Sequence, residues 1–156
     1  LHLLGELARQ GEIRGEARAL AEGLDDQRRL GWVLGYLTFH YSLLGEHARA
    51  IDTADGACAI AEAVGDLGQR VVANYYWGLA LWYAGDPRRA AERVRAAITL
   101  VEGAPPGERF GMVGLPAVLP RFVLAWVLAE LGEFAEAIAA GEESLLIAQT
   151  AGHPYS

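Results

Sequence analysis

Lysine is absent from the 156 residues, so all 13 cations are arginine. A Walker-type phosphate loop needs its lysine, and so does Schiff-base chemistry; this chain can carry neither. Cysteine is nearly absent as well. Cys58 alone excludes a disulfide framework and any multi-thiolate metal site. Cations are in the minority, 13 against 20 acids, for a net charge of -7. That balance argues against nucleic acid or an anionic membrane as the main partner. No Gly-x-Ser-x-Gly elbow occurs. The four histidines, His2, His40, His47 and His153, form no metal-binding pair on one helix face. No catalytic residue, metal or cofactor is expected, and Cys58 reads as a buried structural thiol.

Long apolar runs are also missing. Val71 to Ala84 is too short for a spanning helix and contains Asn74, while Phe110 to Ala129 carries Pro116, Pro120 and Arg121. A spanning helix needs roughly 20 apolar residues. Glu6 and Arg9 interrupt the first leucines before a signal-like run forms. Met112 is the only methionine, and residue 1 is leucine. A cytoplasmic piece of a longer protein is the expectation.

What the chain has in abundance is apolar and small. Hydrophobic residues make up 53% of it, too many for disorder, and glycine alone accounts for 19 positions. Alanine and leucine dominate, with charges at intervals and few β-branched runs, so an all-α domain is expected.

A seven-residue pattern recurs: glycine, an acid, three variable residues, alanine, then a small or branched apolar residue. It appears at Gly45-Glu46 with Ala48 and Ala50, at Gly85-Asp86 with Ala90, and at Gly132-Glu133 with Ala135 and Ala137. The glycines suit a left-handed helix end, and the acids suit the start of the next helix. Gly11-Glu12 reads as a degraded copy. Twelve residues before Ala50, Ala90 and Ala137 stand Thr38, Gly78 and Ala125. Small residues on both partners predict a close helix crossing. Each unit is therefore a helix, a tight turn and a second helix, which cannot bury its apolar faces until pairs stack.

Helices are expected at about 14–23, 27–43, 47–64, 68–84, 87–102, 118–131 and 134–150, with a short one over 2–9 and caps at Asp26 and Asp66. The units span about 30–65, 68–103 and 117–150, with a partial N-terminal unit over 1–26, all in one domain. The proline- and glycine-rich stretch 103–116 reads as a solvated connector.

This unit resembles the tetratricopeptide repeat. The resemblance implies an α-solenoid of about seven helices in antiparallel pairs, stacked right-handed, with first helices lining a concave face. The intervals of 40 and 47 residues exceed the usual period of about 34. The segments "LGW…YL", "ANYYWGLA", "ELGEFAEAI" and "HPYS" are similar to helical-repeat regions of large bacterial regulators that carry an ATPase module with a cyclase or DNA-binding domain.

Eleven of the 14 aromatic residues, including all four tryptophans, fall in the first helices. Tyr41 and Trp77 lie on the stripe facing the partner helix. Trp32, Phe39, Tyr75, Leu79, Trp82, Phe122 and Trp126 follow another phase and are the candidate lining of a concave groove. Aromatic residues and arginine are enriched at binding hot spots. The expected role is a non-catalytic, regulatory protein-interaction module that binds a peptide or another domain of the same parent chain. The alternatives are a small-molecule sensor, or a homodimer that self-associates through the groove or through the apolar end of the last helix, Leu145-Leu146-Ile147. Arg88, Arg89, Arg93 and Arg95 read as a solvated face with local ion pairs.

Overall fold

The computed structural model describes residues 2–104 and 108–151, with side chains from residue 9 onward. Pro105, Pro106 and Gly107 of the connector, and the terminal His153-Pro154-Tyr155-Ser156, lie outside the described residues. Among the described residues there are seven helices and no strand: α1 (His2–Gly23), α2 (Gln27–Leu43), α3 (His47–Val64), α4 (Leu67–Tyr83), α5 (Pro87–Glu102), α6 (Leu119–Glu130) and α7 (Phe134–Ala151). Each helix packs against the next, and α2 also packs along α4. The result is an all-α helical-repeat stack. No described helix is long and apolar enough to cross a membrane.

The turns explain the regularity. Asp25, Gly45, Gly65, Gly85 and Gly132 all have positive φ, from 51° to 82°. The first four follow one another at intervals of 20 residues. At Gly85 the N–H donates to Trp82 O at 2.9 Å, and the next N–H, of Asp86, donates to Leu81 O at 2.9 Å. This double closure satisfies the last carbonyls of a helix. The same pair of bonds closes the turns at Asp25, Gly45 and Gly132. Asp26, Asp66 and Asp86 then cap the following helices, accepting from the N–H groups of Arg29, Gln69 and Arg89 at 2.9, 3.0 and 3.2 Å. Glu46 makes no side-chain cap. Its side chain is one methylene longer, and it pairs with Arg49 at 3.1 Å instead.

The N-terminal expectation needs correcting. Residues 2–23 form one helix, and Gly11 lies inside it. A Cβ on Gly11 would sit 2.7 Å from His40 Nε2, so this glycine serves a close approach of α1 to α2. The first turn of the series is Asp25-Asp26, where aspartate takes the left-handed place; short polar side chains tolerate that conformation.

The predicted crossings are small and tight. Thr38, Ala50 and Ala90 are fully buried. A Cβ on Gly78 would collide with Val94 Cγ2 and lie 3.3 Å from the Ala90 carbonyl. Ala137 is buried and Ala125 half-buried, so the third crossing is looser. Tyr41 and Trp77 belong to the core, and each carries an arginine over its ring: Arg49 at 4.0 Å and Arg93 at 3.6 Å. Gln69, also buried, reaches across Gly31 to donate to Arg28 O at 2.8 Å, which ties α4 to the start of α2.

After α5 the 20-residue rhythm breaks. The stretch between α5 and α6 is not a solvated connector: Met112, Pro116 and Val118 are buried. Arg121 braces its far end. This buried guanidinium donates to Ala117 O at 3.0 Å and to Glu102 Oε1 at 2.7 Å, and its Nε lies 3.0 Å from Glu143 Oε1. The Nε contact is one of opposite charges without hydrogen-bond alignment. The end of α5 and the helices α6 and α7 are thereby held together.

Candidate interaction face

The aromatic residues of α2, α4 and α6 gather into two clusters on one side of the stack. The first joins α2 to α4. Tyr76 lies at its centre, with ring centroids 5.9 Å from Tyr36, 5.1 Å from Phe39 and 5.1 Å from Tyr75; Trp32 stacks on Tyr36 at 6.3 Å. The second joins α4 to α6. Trp82 lies 5.5 Å from Tyr83 and 5.4 Å from Trp126, and Phe122 lies 4.5 Å from Trp126. These distances fall in the range of favourable aromatic pairs.

The residues singled out from the sequence divide between different environments. Tyr75 and Leu79 are only 7% and 5% exposed and belong to the core, so they back the face and do not line it. Trp32, Phe39 and Trp82 are half-buried against that core. Phe122 and Trp126 stand 44% and 50% exposed, an unusual state for such large apolar rings. Tyr36, Tyr76 and Tyr83 were not among the predicted lining residues, yet they complete the two clusters. Tyr83 is 41% exposed.

The first cluster carries a cover. The N–H of Met112 donates to Arg109 O at 2.9 Å, and Phe110 and Gly111 between them have φ of 48° and 68°. Positive φ at both central positions marks a type I′ turn, which favours glycine, asparagine or aspartate at both places. The Phe110 and Trp32 rings both lie over Gly68. A Cβ on Gly68 would stand 2.9 Å from Phe110 Cδ1 and 3.2 Å from Trp32 Cη2. The Tyr36 hydroxyl donates to Gly111 O at 3.1 Å. Beside this turn remains an open cleft of about 730 Å³, walled by Arg28, Trp32, Asp66, Gly68, Glu108 and Phe110. Arg28 and Asp66 form an ion pair across its edge.

Burial leaves a chemical mark on the covered cluster. It raises the phenol pKa values of Tyr36 and Tyr75 and pushes that of Tyr76 up to about 12. Burial also pushes the Cys58 thiol up to about 11, which suits a structural thiol and not a nucleophile. His40 is held below its usual pKa by burial and then by Arg14. No group of three or more His, Cys, Asp or Glu side chains that could hold a metal ion occurs among the described residues. Of the clustered arginines on α5, Arg89 pairs with Asp86, Arg93 lies over Trp77, and Arg95 reaches Glu136 at 2.8 Å. They are engaged in local contacts rather than assembled as an anion site.

No protein-family model and no curated protein matches the chain.

Proposed function

We propose that this chain is a non-catalytic protein-interaction module, a tetratricopeptide-like stack that holds a peptide or another domain of its parent protein on its aromatic face. One observation carries the reading. Trp82, Tyr83, Phe122 and Trp126 form a contiguous ring cluster, three of whose members are more than two-fifths exposed. Exposed aromatic clusters on a rigid helical scaffold are the physical form of a binding hot spot. Recognition would proceed by shape and apolar burial, with no bond made or broken. The direct test is calorimetry of the 156-residue chain against the remaining domains of the parent protein. Trp126→Ala should weaken binding at least tenfold while the helical circular dichroism is unchanged. Unaltered affinity in that variant would sink the reading.

Self-association has its own observation in its favour. Phe134, Ile138, Leu145 and Leu146 stand exposed on α7. A sedimentation series over a hundredfold dilution tests it, and a constant mass across the series would exclude it.

A further inference from the structure

The covered half of the aromatic face holds a segment of the chain itself, and the way it is held points to a second use. The floor is a hole made by Gly68, flanked by the Trp32 ring. Phe110 fills the hole from a turn position where phenylalanine is strained, because a bulky L residue rarely adopts positive φ. Beside Phe110, the buried Met112 anchors the end of the turn in the core. The Tyr36 hydroxyl takes the carbonyl of Gly111, while the Arg109 guanidinium donates to Val113 O at 2.9 Å within the connector itself. Glu108, Arg109 and Gly111 are exposed around the ring. The cleft of about 730 Å³ continues beside the tip, so a longer segment would find room where this one stops.

We propose that this seat is a binding site for an aromatic side chain presented at the tip of a tight turn, filled in cis by Phe110 and exchanged for the turn of a protein partner. The inference rests on the reading of the first-helix face as a binding surface. The partner's chemistry follows from the occupant in place. It has an aromatic ring, to lie in the Gly68 hole beside Trp32. It has a following residue that tolerates positive φ and leaves its carbonyl free for the Tyr36 hydroxyl. The cis turn then competes with the partner, and the apparent affinity for any such segment is reduced by the fraction of seats it already fills.

The probe is a cyclised peptide of residues 108–114, titrated by calorimetry into the full chain. Phe110→Ala empties the seat and should bind the peptide at least tenfold more tightly than the unaltered chain. Adding Gly68→Ala to Phe110→Ala puts a methyl group into the hole and should return binding to the original level. A peptide with alanine in place of its phenylalanine should not bind. Gly111→Ala loosens the cis turn by placing a Cβ at positive φ, 3.3 Å from the Tyr36 hydroxyl oxygen, and leaves the seat intact. It too should raise affinity, and it decides the matter if Phe110→Ala does not fold. Peptide binding no tighter in either variant, or binding indifferent to Gly68→Ala, would overturn the proposal. Trp126→Ala, on the other half of the face, should leave peptide affinity in the Phe110→Ala background unchanged. A partner lost in Trp126→Ala beside an empty seat that takes no peptide would remove this inference alone.

Discussion

The two aromatic clusters are built from the same helix, yet one is roofed and the other is bare. α4 supplies Tyr75 and Tyr76 to the first, and Trp82 and Tyr83, about two turns later, to the second. The difference lies in what reaches each from outside. On the α2 side, the 20-residue rhythm holds and two first helices lie along one another. On the α6 side, the long connector intervenes, and α6 touches α4 only lightly. The chain that separates α6 from α4 is the same chain that bends back over Trp32 and Tyr36. One insertion therefore closes the first cluster and leaves the second open. Recognition surfaces on a repeat scaffold can arise this way, from an irregular link and not from altered helices.

The largest effect should come from removing the support common to both clusters. Ala90 is fully buried where α5 crosses α4, beside Gly78. Ala90→Arg would put a charge with no partner into that crossing, a cost on the order of 4 kcal/mol or more. Loss of the cooperative thermal transition is expected. A folded Ala90→Arg protein would mean that the two clusters do not share this crossing as their base. Next, Tyr76→Ala removes the hub of the covered cluster and should cost about 3 kcal/mol, read from chemical denaturation. A cost below about 1 kcal/mol would show that the covered cluster is no better packed than the open one.

These expectations were legible to different degrees in the residues. Gly45, Gly85 and Gly132 announce their turns because a left-handed helix end is a local demand that glycine meets without help. The limits of α2 to α7 agree with the expected ones to within about a residue, whereas those of α1 do not. Asp25 does not announce itself, since aspartate adopts that conformation only where the neighbouring helices hold it. Gly11 misleads for the opposite reason. A glycine inside a helix costs about 1 kcal/mol relative to alanine, and here it is kept to make room for His40 in another helix. The aromatic phase picked out the exposed Phe122 and Trp126 but could not separate them from the half-buried Trp82 or the buried Tyr75 and Leu79. Phe110 was hidden altogether. Its stretch of prolines and glycines reads as solvent-exposed, and its seat is made by residues at least 42 positions earlier in the chain.

Titration offers a gentler way to sharpen the contrast. Tyr36, Tyr75 and Tyr76 all have phenol pKa values raised by burial. A folded pKa above the unfolded value of about 10 favours the neutral form in the native state. The associated stability is fully present below pH 10 and is lost as pH rises through the folded values. For Tyr76, at about 12, the loss should reach about 2 kcal/mol near pH 12. With no lysine in the chain, no ammonium group of that kind titrates in the same window. Cys58, pushed up to about 11, contributes with the same sign, so the measurement belongs in a Cys58→Ala background. Melting temperatures between pH 8 and 11 should fall, and Tyr76→Phe should flatten that fall. An equal slope with Tyr76→Phe would mean that Tyr76 is not the source.

The smallest stability change, and the largest change in binding, should come from the open half. Trp126 is half exposed and makes ring contacts with Trp82 and Phe122. Contacts of that kind contribute about 0.5–1.5 kcal/mol. Trp126→Ala should therefore cost about 1 kcal/mol of stability, well under the Tyr76→Ala value. A hot-spot tryptophan, by contrast, carries about 2 kcal/mol or more of binding free energy. The two clusters should thus separate on a plot of stability loss against affinity loss: Tyr76→Ala high on the first axis, Trp126→Ala high on the second. If Trp126→Ala instead loses about 3 kcal/mol of stability, the open cluster is core that happens to reach the surface. Its exposure would then be the residue of imperfect packing beside the connector, and the case for a binding face would rest on the Phe110 seat alone.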